Sequence, residues 1–172
     1  ILIAGPQRSS TTLMSKYISK LLGEKYELVY MSYKANAYNE HDTKFFKRLI
    51  DNKNYYIIHS PSQCHVLHEV GVRDDTFIFF MMRDTADIIK SQERIGWTKR
   101  EEPREKAKYS KFKCDLKNPI SVIKYNIWND IQKYMIPEKS YMEVNYESLS
   151  IATDLWVDKK DRVNFKPRQT EL

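Results

Sequence analysis

Five short runs rich in β-branched and aromatic residues, at about 1–5, 27–31, 55–59, 76–82 and 141–145, are separated mostly by stretches long enough for a helix. That spacing predicts a parallel α/β sheet covered by helices. Between the runs, Leu13, Met14, Tyr17, Ile18, Leu21 and Leu22 recur at helical period, and Phe45, Phe46, Leu49 and Ile50 do so after Asp42. Both stretches read as sheet-covering helices. Asn118-Pro119 supplies a cap and a first-turn proline for a further helix carrying Ile120, Ile123, Ile127, Ile131 and Tyr134, and Pro137 marks its end.

A chain of 172 residues with 41% hydrophobic content suffices for one core, and one of this size buries roughly 70% of its unfolded surface. A single domain over 1–172 is therefore expected. No low-complexity linker interrupts it. The exception is 97–117, highly charged with little apolar periodicity, which reads as a surface loop or mobile flap at the edge of a site. Lys and Arg number 29 against 23 Asp and Glu, a net +6 that favours anionic partners without choosing among them. Cys64 and Cys114 form no C-x-x-C motif, which points to a reducing compartment such as the cytoplasm. The longest apolar run, Phe77 to Met82, suits a buried strand and no membrane span. The chain opens on Ile1 with a strand already under way, so residues upstream are expected, and a signal or anchor among them stays open.

The first strand runs into Gly5-Pro6-Gln7-Arg8-Ser9-Ser10-Thr11-Thr12 and then a helix, the strand, loop, helix order of a phosphate cradle. Free backbone N–H groups at the helix start face an anion, small hydroxyl side chains wrap closely around oxygens, and Arg8 offers a fixed positive fork. A Walker A loop would carry glycine at Ser10 and lysine at Thr11, which counts against a nucleotide kinase. A second strand-to-helix junction comes after Phe77–Met82, where Arg83 leaves the strand and Ser91 lies eight residues later. Open α/β sheets bind ligands at that carboxyl edge.

Together these segments resemble the sulfotransferase family that uses 3′-phosphoadenosine 5′-phosphosulfate. Gln7-Arg8-Ser9-Ser10-Thr11-Thr12-Leu13 is similar to its 5′-phosphosulfate loop, P-[RK]-S-G-T-T-[LW], with Ser10 in place of glycine, and Arg83 with Ser91 is similar to its 3′-phosphate site. Val144-Asn145-Tyr146-Glu147-Ser148-Leu149 looks like its late strand, and Phe165-Lys166-Pro167-Arg168 like the basic carboxyl-terminal segment of some smaller members. The resemblance implies a P-loop-NTPase-like three-layer sandwich, a small-molecule or glycan acceptor, and nucleotide contacts from Gln7, Arg8, Ser9, Ser10, Thr11, Thr12, Arg83, Ser91, Tyr146, Lys166 and Arg168. Bottom-up, Tyr146 reads equally as a packing residue and the 166–168 segment as a solvated terminus.

In-line transfer needs charge stabilisation on the leaving phosphate, which suits Arg8, and a base for the acceptor proton. His59 at a strand end, Glu40 and Glu27 are the candidates, with His59 alternatively contacting the nucleotide where many bacterial members carry Lys-Ser-Pro. Cys64, His65 and His68 lack a second ligand pair, and no metal is expected. A P-loop-like kinase is the second reading, with Asp84 as its one arguable magnesium carboxylate. A basic domain binding nucleic acid or a sulfated polymer through the lysines, Tyr109 and Phe112 of 97–117 is the third.

Overall fold

The computed structural model describes residues 1–31, 42–52 and 54–151. All of the expected strands form: β1 (Leu2–Ala4), β2 (Glu27–Tyr30), β3 (Tyr56–His59), β4 (Ile78–Met82) and β5 (Tyr141–Asn145). They make one sheet in the order β2-β3-β1-β4-β5, and every pairing is parallel. Period-2 alternation sends Leu2, Ala4, Ile58, Ile78 and Phe80 into one buried cluster and Ile3, Ile57 and Met81 into another. Because both faces are covered, the central strands read as unbroken apolar runs.

Helix α1 (Thr11–Leu22) covers one face through Met14 and Ile18. The other face carries α2 (Thr43–Asp51), the short α3 (Leu67–Val70), α4 (Thr85–Arg94) and α7 (Ile120–Ile127), which contribute Phe46, Leu67, Ile88, Ile120, Ile123 and Ile127. The result is an α/β three-layer sandwich. Phe80 of β4 stacks on Trp128 with centroids 4.1 Å apart and rings 3° from parallel, which fastens the helix layer to the sheet. No helix among the described residues is long and apolar enough to cross a membrane.

Helix α2 starts as expected, with Asp42 Oδ1 accepting from the Phe45 amide at 2.8 Å. Helix α7 differs. Pro119 itself occupies the cap position without a side-chain bond, and the Ile120 amide donates instead to Glu102 Oε1 at 3.0 Å. Beyond Ile127 the helix passes through a π turn (Trp128–Gln132) into α8 (Lys133–Met135). A π turn adds a residue and rotates the next turn of helix about the axis, so Ile131 stays half-buried while Tyr134, expected on the apolar face, is 78% exposed.

The 97–117 stretch also departs from a loop or flap. It holds α5 (Trp97–Arg100) and α6 (Glu102–Ala107), and Trp97 and Tyr109 belong to the core. Helices of 4 and 6 residues are too short to display a helical period, which is why sequence patterning missed them. With Tyr109 wholly buried, that residue is no platform for stacking bases.

Strand β1 lies between β3 and β4, and the chain leaves β1 for α1 on one face but leaves β4 for α4 on the other. The loops after β1 and β4 therefore part to opposite faces and leave a crevice at the carboxyl edge of the sheet. Helix α9 (Tyr146–Ile151) begins at the same edge, after β5.

Candidate anion-binding site

The loop after β1 is held in a shape few residues tolerate. Gly5 has φ +124°, and a Cβ built there would meet the Met81 carbonyl oxygen of β4 at 2.7 Å. Arg8 and Ser10 also take positive φ, 75° and 73°, which is unusual for residues other than glycine. Such outliers cluster at ligand sites. Ser10 makes no side-chain cap to α1, and no acidic residue lies in the first turn, so nothing negative opposes the dipole there. The Ser9 hydroxyl turns inward, donating to the Pro6 carbonyl at 2.7 Å, and it shapes the loop from within. The Gly5 amide donates to Cys64 Sγ at 3.3 Å, tying the loop to the segment after β3.

Ser10 stands where the resembling family has glycine, and its left-handed backbone carries the strain that glycine avoids. Left-handed φ costs a side chain about 1–2 kcal/mol, while glycine's extra unfolded-state entropy returns roughly 0.5–1 kcal/mol of that. Ser10→Gly should therefore raise stability by up to about 1 kcal/mol, read as a higher urea midpoint at unchanged slope.

The two junctions meet at the crevice. Arg8 Nε donates to Ser91 Oγ at 3.0 Å, and Arg83 Nη1 donates to the Arg8 carbonyl at 2.9 Å. Arg83 also lies 4.2 Å from the centre of the Tyr146 ring, and its amide donates to the Tyr125 hydroxyl at 2.8 Å. Its approach to Asp87, at 3.9 Å, is the looser contact. Burial lowers the pKa of Arg8 from its usual value, and the positive charges of Arg94 and then Arg83 lower it further. Arg94 sits three residues beyond Ser91 on α4, and Cβ atoms on a helix tilt toward its N-terminus, over the turn that holds Ser91. Arg94 was not singled out among the sequence motifs; its i+3 spacing from Ser91 was the available signal.

Beneath the loop, Gln92 Nε2 donates to the Gln7 carbonyl at 3.0 Å. Lys124 of α7, wholly buried, donates to Gln7 Oε1 at 2.6 Å and to the Pro61 carbonyl at 2.8 Å, and pairs with buried Glu105 at 2.5 Å. These supports too went unpredicted. Two buried donors, Arg83 Nε and Gln7 Nε2, have no hydrogen-bond partner among the described residues.

His59 lies below the start of α1, its Nε2 2.9 Å from Thr11 Oγ1 and 3.3 Å from Thr12 Oγ1. Burial pulls its pKa down to about 4, so the ring is neutral at pH 7. Glu27 opens β2, paired with Tyr56, at the sheet edge opposite the loop, and this placement removes it as a base. Glu40, Lys166 and Arg168 lie outside the described residues. Asp84 caps α4, accepting from the Asp87 amide at 3.0 Å. Buried His65 has its pKa lowered to about 3, chiefly by desolvation, and no cluster able to hold a metal occurs among the described residues.

Comparison of the chain with protein-family models, curated proteins and solved structures finds no match.

Proposed function

We propose that this chain is a sulfotransferase that moves a sulfuryl group from 3′-phosphoadenosine 5′-phosphosulfate to an acceptor hydroxyl or amine. The observation that carries the reading is the contact of the two strand-end motifs: Arg8 Nε on Ser91 Oγ and Arg83 Nη1 on the Arg8 carbonyl, across more than seventy residues of chain. Arginines gathered at a helix start that holds no acidic residue suit a ligand with more than one anionic group. The spare buried donors, Arg83 Nε and Gln7 Nε2, are compatible with that ligand.

The donor supplies an activated sulfuryl group on a phosphate leaving group. On this reading Thr11, Thr12 and the first-turn amides of α1 hold the 5′-phosphate, and Arg83 with Ser91 holds the 3′-phosphate. Arg8 stays protonated and acts as an electrostatic clamp, never as a proton donor. His59 is only 7% exposed and engaged with two threonines. Glu40 is therefore the base this reading keeps for the acceptor proton.

Thermal unfolding with 3′-phosphoadenosine 5′-phosphate, ATP with magnesium, AMP or buffer tests it. A ligand that binds only the native state stabilises by about 2.7 kcal/mol at one hundred times its dissociation constant. The bisphosphate should stabilise most, and Arg83→Ala should remove that gain while the unliganded variant still unfolds cooperatively. A larger shift with ATP and magnesium would replace this reading with a kinase.

A further inference from the structure

We propose that His59 is a positioning residue whose Nε2–H donates to Thr11 Oγ1, leaving the Thr11 hydroxyl proton free to point at an anion bound at the start of α1. His59 Nδ1 is buried with no hydrogen-bond partner among the described residues, while Nε2 faces Thr11 Oγ1 at 2.9 Å and Thr12 Oγ1 at 3.3 Å. A neutral imidazole carries one N–H and one lone pair. Orphaned buried N–H groups are rarer than under-satisfied acceptors, so the bare nitrogen is Nδ1 and the proton sits on Nε2. In the opposite tautomer Nε2 would accept a hydrogen bond from the Thr11 hydroxyl, and Thr11 would present only lone pairs to the anion. Burial keeps the ring neutral, and Tyr30, 5.3 Å away between ring centres, packs against it.

Thr11 is the first residue of α1 and only 3% exposed, so little water reaches its hydroxyl. A ring that donates to it acts on the ligand through the threonine and need not touch the acceptor. This inference rests on the anion-site reading, and the experiment separates the two. Calorimetric titration with 3′-phosphoadenosine 5′-phosphate compares the wild type, His59→Gln and His59→Asn, with the unliganded melting temperature of each. Glutamine reaches the Nε2 position with an N–H donor, whereas asparagine stops at Nδ1. Glutamine should keep near wild-type affinity, and asparagine should lose about tenfold to a hundredfold, the worth of one hydrogen bond to a charged ligand.

A long-range nitrogen-proton correlation spectrum of the wild type should show Nε2 protonated and Nδ1 bare. Equal affinity in the two variants, or a proton on Nδ1, overturns the role of His59 alone. Failure of the wild type to bind the bisphosphate overturns the anion-site reading and this role with it. If neither variant folds, the spectrum still decides.

Discussion

Lys124→Met should lower the stability of this protein by about 3–5 kcal/mol, the usual cost of leaving one buried charge without its partner. Lys124 and Glu105 are both wholly buried and 2.5 Å apart. Methionine fills the lysine's volume but takes away the carboxylate's 2.5 Å partner, and it removes the donor to Gln7 Oε1 and the Pro61 carbonyl. Lys108, 3.7 Å from Glu105 and nearer solvent, compensates only in part. The double variant Lys124→Met, Glu105→Leu should recover much of the loss, because removing both charges removes the desolvation penalty. Urea unfolding of the two single variants and the double variant gives the coupling energy directly. Equal midpoints for Lys124→Met and the wild type would mean that the pair does not contribute to stability.

The second large effect is expected at Gly5. Alanine there meets the Met81 carbonyl at 2.7 Å and the Met81 amide nitrogen at 3.1 Å, both backbone atoms of a paired strand, at φ +124°. Relief requires β1 and β4 to separate next to the loop. Gly5→Ala should therefore cost at least about 3 kcal/mol, beyond ordinary backbone strain, and should abolish anion binding in whatever folds. Gly96→Ala is the control: its backbone is left-handed, φ +67° and ψ +20°, with nothing within 4 Å. It should cost no more than about 1 kcal/mol and spare binding. Similar midpoints for the two variants would remove the close approach at Gly5 as a determinant of the loop.

How much of the fold could be read in the sequence depends on how far each effect reaches along the chain. The strands were legible because two-sided burial writes apolar runs into contiguous residues, and α2 because Asp42 caps it three residues away. Arg8 and Arg83 were legible as residues of loops that leave two strands, and Ser91 as a residue of the helix after the second. Their mutual contacts were not, since those depend on which strands are neighbours. Nothing in the local sequence marks Lys124 as buried; its burial is set by Glu105 and Gln7, 19 and 117 residues away in the chain. The left-handed Ser10 was hidden for the opposite reason. The local sequence disfavours that backbone, and only the enclosing loop imposes it.

The strand order has a consequence for how the molecule is made. Strand β1 has no sequence-adjacent neighbour in the sheet: Leu2 pairs with Ile58 on one side and Ile78 on the other. Synthesis at about 5–20 residues per second leaves this apolar strand without β4 for roughly 4–15 s after it appears. Long-range parallel pairing is also slow in itself, because distant segments must be brought together before any contact rewards it. The loop after β1 is thus the earliest of the binding elements to be synthesised and among the last to take its shape. Folding yield in cells should accordingly respond to chaperone supply and growth temperature more than the size of the domain alone suggests.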